Sequence, residues 1–317
     1  MTLWRSLLRL AYIVYGIVSR RPLALSDIND VDGITSAALF KRKYPQGVVV
    51  LAYPPEVKNS SLLKRVRWEF VADLPCPGKV RIRADHHETN KPCAEQEFYD
   101  PSAPASALLA LKGLGLEGDE ISEQLVKIAI ETDTARIETE EAMLLDAAVK
   151  GAGYLGKLYL VENLAKRGLD VLNDDRVKRW IERYNEVKRR TEEMAHVLPV
   201  YDETLVIFEK DLHLAYRYLS ILLERRGAKF TFIIVPKPFF MFRIYAGARE
   251  ESPFDSSIIA RRLGGGGHRY AAGASFRIFP RSKGLEMAIR ELKDFMNRDR
   301  LRFIVVYDFK NFEEREF

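Results

Sequence analysis

Short apolar runs that end in aspartate recur through the first third of this 317-residue chain. LALSDI leads into Asp27, Asp30 and Asp32, VAD closes on Asp73, and KVRIRAD closes on Asp85. GITSAALFKRKY reads as a helix after the first run, and GVVVLAY as a further strand. Strand, turn and helix at this spacing predict an α/β fold with a parallel sheet. Ligands gather at the carboxyl ends of such strands, where these aspartates fall.

Further along, SLLKRVRWEF, PSAPASALLALKGLG and SEQLVKIAIETD are expected as helices, with Ser102 and Pro104 opening the second. Residues 141–190 keep helical periodicity and end in a long charged helix. The pattern changes at LPVYDE, so a metal-binding unit over 1–197 and a smaller mixed α/β unit over 198–317 are expected. TLVIFEK, KFTFIIVP, MFRIYAGA, AGASFRIF and LRFIVVYDF read as strands of the second unit, and the acidic, aromatic end NFEEREF as a frayed terminus or, alternatively, a small docking segment.

The charge is uneven. Residues 1–200 carry 29 Lys+Arg and 29 Asp+Glu, whereas residues 201–317 carry 21 and 16. A basic second unit suits an anionic ligand. Cys76 and Cys93 show no ligand or disulfide spacing, and a reducing, cytoplasmic setting is expected. The opening LLRLAYIVYGIVSRR is interrupted by Arg9 and reads as a helix packed on the body, with no membrane partner.

Asp30 and Asp32 flank one residue, and two carboxylates so close repel unless a cation lies between them. Asp32 can alternatively cap the helix that follows, and Gly33 lets the chain turn into it. Asp73 alone reads as a turn residue. His86 and His87, two of only five histidines, point to opposite faces of an extended segment, so one can ligate a metal and the other face a phosphate. Asp133, in ETDTARI, adds a carboxylate. Oxygen and imidazole donors without thiolates suit Mn, Mg or Zn. The donors suffice for two metals sharing one carboxylate, an arrangement that activates water for phosphoryl displacement. In GGGGHRYAAG the four glycines look surplus to any structural need and would let backbone N–H groups approach an anion, with His268 and Arg269 beside it. Arg249 would add a bidentate phosphate contact. The aromatics of PKPFFMFRIY suit base stacking or core packing equally.

Taken in order, these residues resemble the DHH phosphoesterase family, over nearly the whole chain. Asp30-Val31-Asp32-Gly33 is similar to its first motif, Asp73 to its second, Asp85-His86-His87 to its third and Asp133 to its fourth. Gly265-Gly266-Gly267-His268, Ala271-Ala272-Gly273 and Arg249 resemble its DHHA1 substrate-binding domain. The resemblance implies two Mn2+ (or Mg2+) ions in a cleft between the domains, with Asp30 and Asp73 on one, and Asp32, Asp73, His86 and Asp133 on the other. It implies that His87 faces the scissile phosphate and that Asp85 orients a histidine. The family places a His or Asp two or four residues before Asp30. This chain has Ile28 and Ser26 there, so Asp27 is expected to substitute.

An archaeal source and hydrolysis of short single-stranded RNA or DNA from one end, of either polarity, are the expectations. The alternatives are a nucleotide or cyclic-dinucleotide phosphodiesterase, and an impaired replication-complex subunit of the Cdc45 kind. A replication or repair partner and a homodimer are the protein partners considered.

Overall fold

The computed structural model describes all residues except Met1 and Ala135, with side chains from Trp4 onward. It divides into two compact units, residues 1–184 and 185–317.

In the first unit the elements are α1 (Thr2–Val18), β1 (Leu23–Asp27), α2 (Val31–Lys43), β2 (Val48–Ala52), α3 (Pro54–Asn59), α4 (Ser61–Arg65), β3 (Arg67–Ala72), β4 (Lys79–Asp85) and β5 (Gln96–Tyr99). Helices α5 (Ser106–Gly113), α6 (Glu120–Asp133), α7 (Glu140–Gly151) and α8 (Tyr154–Arg167) follow, then a 3-10 turn (Gly168–Asn173) and α9 (Asp175–Val197), which runs on into the second unit. The sheet order is β2-β1-β3-β4-β5, and every pair is parallel. Sequence neighbours β1 and β2 lie together, and the chain then passes to β3 on the other side of β1. That reversal puts the open crevice of the sheet at the carboxyl ends of β1 and β3, where Asp27 and Asp73 lie. Ala24, Phe70 and Ile82 pack with Ile34, Ala38 and Leu125 in the main core. Leu25, Val50, Trp68 and Val71 form a second core on the other face.

Several expectations change. RWEF is not helical: α4 stops at Arg65, and β3 begins at Arg67. Trp68 and Phe70 alternate with less buried Arg67 and Glu69, so a period of two overrides the helical reading. QEFY forms a further edge strand, β5. Cys76 and Cys93 form a disulfide with a Cα–Cα distance of 6.2 Å. They lie on the consecutive connections β3–β4 and β4–β5, which parallel pairing brings side by side across 17 residues of sequence. Such a link constrains the unfolded chain by roughly 3 kcal/mol. No described helix is long and apolar enough to cross a membrane.

The second unit holds β6 (Glu203–Phe208), α10 (Tyr216–Arg225), β7 (Phe230–Lys237), β8 (Met241–Ala248), α11 (Ser256–Arg262), β9 (Gly266–His268), β10 (Ala271–Arg277), α12 (Arg281–Met296), β11 (Arg302–Val306) and β12 (Phe312–Glu316). Its sheet, β12-β11-β6-β7-β8-β10-β9, is mixed: β11, β6 and β7 are parallel, and the others antiparallel. The C-terminal segment is not frayed. It is β12, paired along its length with β11, and Phe317 packs edge-on against buried Phe303.

Candidate metal centre

Three strand ends and two helix ends of the first unit bring the acidic and imidazole groups together. Asp27 ends β1, Asp30 and Asp32 lie at the start of α2, Asp73 follows β3, the Asp85-His86-His87 triplet closes β4, and Asp133 ends α6. Three sets have ligand atoms within 4.8 Å of one another: Asp27, Asp30 and Asp73; Asp32, His86 and Asp133; and Asp73, His86 and His87. Asp73 belongs to two of them.

Local physics explains how each group is held. Asp30, not Asp32, caps α2, its side chain accepting from the Gly33 N–H at 3.1 Å. Gly33 is required by proximity rather than by a turn: a Cβ there would lie 2.4 Å from the Asp27 carbonyl oxygen. Ser26 Oγ donates to the Gly33 carbonyl at 2.7 Å, binding strand and helix together. Asp32 reaches across the fold and accepts from the N–H groups of Ser106 and Ala107 at 2.8 and 2.7 Å. Its carboxylate therefore caps α5, where Ser102 and Pro104 were expected to open the helix, and the charge favours that N-terminus. Asp73 has φ of 57°, a conformation rare for a non-glycine residue and stored at functional sites. Ser106 Oγ donates to it at 3.1 Å.

The two histidines are oriented differently. His86 Nδ1 lies 3.0 Å from the Ala103 carbonyl and so carries the proton. Its Nε2 lone pair then faces Asp133 and Asp73, at 3.5 and 3.9 Å, the tautomer of a metal ligand. His87 Nδ1 lies 3.0 Å from Asp85 and 3.3 Å from Asp73, and its ring is 42 % exposed. The hydrogen bond to Asp85 raises its pKa, more than burial lowers it. His87 is thus suited to donate to an anion from its open side. Asp85 is fully buried, held by Arg83 and by Asn90 at 2.7 Å. Arg83, also fully buried, binds the Leu74 and Lys91 carbonyls and Glu97, so one guanidinium ties the loops after β3 and β4.

Crowding leaves its mark on the carboxyls. Burial, then Asp30, pushes Asp27 up to about 7. Burial and neighbouring aspartates push Asp32 and Asp73 well above the usual carboxylate range, and burial raises Asp133. Lys157 donates to the Ile28 carbonyl, and burial lowers it to about 8. A cluster of buried, like-charged oxygens with one correctly turned imidazole fits hard divalent cations.

Ser106, Arg83, Asn90 and Lys157 carry no signal in the sequence because most of their partners lie on other elements or loops. Ser106→Ala should lower Mn2+ affinity about 10- to 100-fold, as loss of a group orienting a ligand does. Calorimetric titration reads this, and unchanged affinity would remove Ser106 from the centre.

In the second unit the glycines are not surplus. A Cβ at Gly265 would lie 2.1 Å from the Gly273 carbonyl oxygen, and one at Gly267 2.5 Å from that of Ala271. Gly264 and Gly267 have φ of 77° and 137°. Gly266 alone has open space and an ordinary conformation. His268 is exposed on β9. Arg269 donates to the Ser252 carbonyl at 3.2 Å, and Arg249 is paired with Glu251 at 3.0 Å.

No protein-family model and no curated protein matches this chain. Solved structures do. The pGpG-specific phosphodiesterase PggH from Vibrio superposes with a TM-score of 0.59 and 18 % identity, over 87 % of this chain and 99 % of that one. A DHH domain from a member of a ribosomal-protein family gives 0.56 at 14 % identity, over 89 % of both. The Mn2+ complex of RecJ from Thermus thermophilus gives 0.52 at 17 %, over 95 % of this chain and 56 % of RecJ. The fold is therefore one shared with a manganese-bound exonuclease and with a dinucleotide phosphodiesterase. More particularly, it is the DHH phosphoesterase fold, an α/β chain of a parallel-sheet unit and a mixed-sheet unit.

Proposed function

We propose that this chain is a divalent-metal-dependent phosphoesterase that hydrolyses short single-stranded oligonucleotides. The observation that carries the reading is the convergence of Asp27, Asp30, Asp32, Asp133 and His86 around one buried carboxylate, Asp73. Asp27, Asp30 and Asp73 would hold one ion, and Asp32, Asp73, His86 and Asp133 a second, Mn2+ being the expected metal. Bound there, such ions supply charge neutralisation at the phosphate and acidify a water molecule. The chain's own residues do the rest. Asp85 and Ala103 fix the two imidazoles, Asp32 and Ser106 lock α5 against the centre, and His87 donates toward the phosphate. Gly266, His268, Arg269 and Arg249 are proposed as substrate contacts of the basic second unit.

The likeness to PggH favours a second reading, cleavage of a dinucleotide, because that protein is a pGpG-specific phosphodiesterase. The rival without catalysis, a replication subunit, rests on the irregular first motif, and the placement of Asp27 beside Asp30 and Asp73 argues against it. Incubation with Mn2+ or Mg2+ and labelled strands of graded length, linear and cyclic dinucleotides and polyphosphate tests the order. Release of nucleotides from short strands is expected. Asp27→Ala should weaken one of two Mn2+ binding events and lower turnover. If it leaves both unchanged, Asp27 is no ligand. Absence of all Mn2+ uptake would overturn the enzyme reading.

A further inference from the structure

In PKPFFMFRIY, Phe242 joins the core, but Phe239 and Phe240 do not. They form the turn between β7 and β8 and are 75 % and 47 % exposed. Both have positive φ, 60° and 58°. Lys237 pairs with Met241, so Pro238, Phe239 and Phe240 make a three-residue loop, and at positive φ small or Asn residues are favoured because bulky side chains are strained there. Two phenylalanines therefore occupy positions that cost backbone energy and bury little. A third, Phe279, is 72 % exposed just after β10, its ring 4.8 Å from that of Phe240.

The adjoining sheet face is basic and low. Arg243 lies opposite Ser275, Met241 opposite Arg277, and Tyr245 opposite Gly273. Residues directly opposite share a face, and the alternate residues Phe242, Ile244, Ala274 and Phe276 pack into the core on the other side. Arg243, Ser275 and Arg277 are exposed, and Arg243 interacts with the neighbouring Tyr245 hydroxyl. Along β10 this face continues past Gly273, opposite Gly266, to Ala271, opposite His268. From Ala271 to Phe279 the strip runs about 27 Å at ~3.4 Å per residue.

We propose that this strip binds a single-stranded nucleic acid, with bases stacked on Phe239, Phe240 and Phe279 and phosphates on Arg243 and Arg277. Aromatic platforms beside a basic groove are how sequence-independent strand binding works. A dinucleotide held near His268 is too short to reach the aromatic end, so the strip selects strands of several nucleotides. The inference rests on the oligonucleotide reading above and sharpens it.

The test is fluorescence anisotropy of the full chain in EDTA with fluorescein-labelled oligothymidylates of graded length, two to eight nucleotides. Affinity should rise about tenfold or more across the series. Phe279→Ala and Phe239→Asn should each weaken the longest strand about 5- to 100-fold, the loss growing with length. Because Asn suits a positive φ, Phe239→Asn should also raise Tm, which separates lost stacking from lost folding. Arg243→Ala with Arg277→Ala should reduce the salt slope of binding by about 1.4, at ~0.7 per phosphate. Length-independent affinity, or unchanged binding by the phenylalanine variants, overturns the strip. So does a change of oligomeric state in those variants on size exclusion, which would assign the tip to a second copy of the chain. Length-dependent binding without hydrolysis in Mn2+ would sink the phosphoesterase reading and leave the strip standing; hydrolysis without length dependence does the reverse.

Discussion

Asp73→Asn should abolish hydrolysis while raising the thermal stability of the metal-free protein at pH 8. The side chain is almost fully buried, and Asp32, Asp30, Asp27 and Asp133 all add to the cost of its charge. Asparagine keeps the shape, tolerates the left-handed backbone at φ 57° and can still accept from Ser106 Oγ. It removes the charge that both proposed ions share. Loss of several kcal/mol of charge stabilisation corresponds to about a thousandfold or more in rate. Alanine is the poorer probe, since it would add backbone strain. Hydrolysis, Mn2+ titration and melting in EDTA check the prediction together. A lower Tm with Mn2+ binding intact would mean that Asp73 is an ordinary structural residue.

The second large effect is a coupling of stability to pH and metal. In the metal-free protein Asp27 is raised to about 7, and Asp32, Asp73 and Asp133 are raised as well. Between about pH 4 and 7 the folded chain then holds protons that the unfolded chain has released. Stability from these groups is full below their unfolded pKa and is lost as pH rises through the folded one. His87, also raised, acts in the same direction. Metal-free Tm should therefore fall from pH 5 to pH 8. Divalent ions reverse the order by competing with the protons. Mn2+ at 100 to 1,000 times its Kd should add about 3–4 kcal/mol at pH 8, and much less at pH 5. Melting curves at both pH values, with Mn2+ and with EDTA, measure it. An equal Mn2+ effect at pH 5 and pH 8 would mean that the ion binds elsewhere.

The candidate ligands are legible in one dimension because a parallel strand delivers its last residues to a single edge. Asp27, Asp73 and Asp85 each close an apolar run, and that edge is where they meet. Most strands of the second unit are readable for a similar reason, since apolar runs such as FTFIIVP are buried throughout. RWEF misleads because five residues of true helix precede it and merge with it in a helical window. β12 is hidden because its outward charges look disordered until β11 supplies a hydrogen-bonding partner.

What residue order settled by itself was the alternation of strands and helices and the supply of carboxylates and imidazoles at strand ends, because both follow from local periodicity. Tertiary structure alone decided the rest. It turned Asp32 into the cap of a helix 74 residues away, assigned the histidine tautomers through Ala103 and Asp85, and joined Cys76 to Cys93. It also separated Gly266, with open space around it, from neighbours that have no room for a side chain. Each of these depends on a partner distant in sequence or on space left by packing, and neither is written in the spacing of residues along a chain.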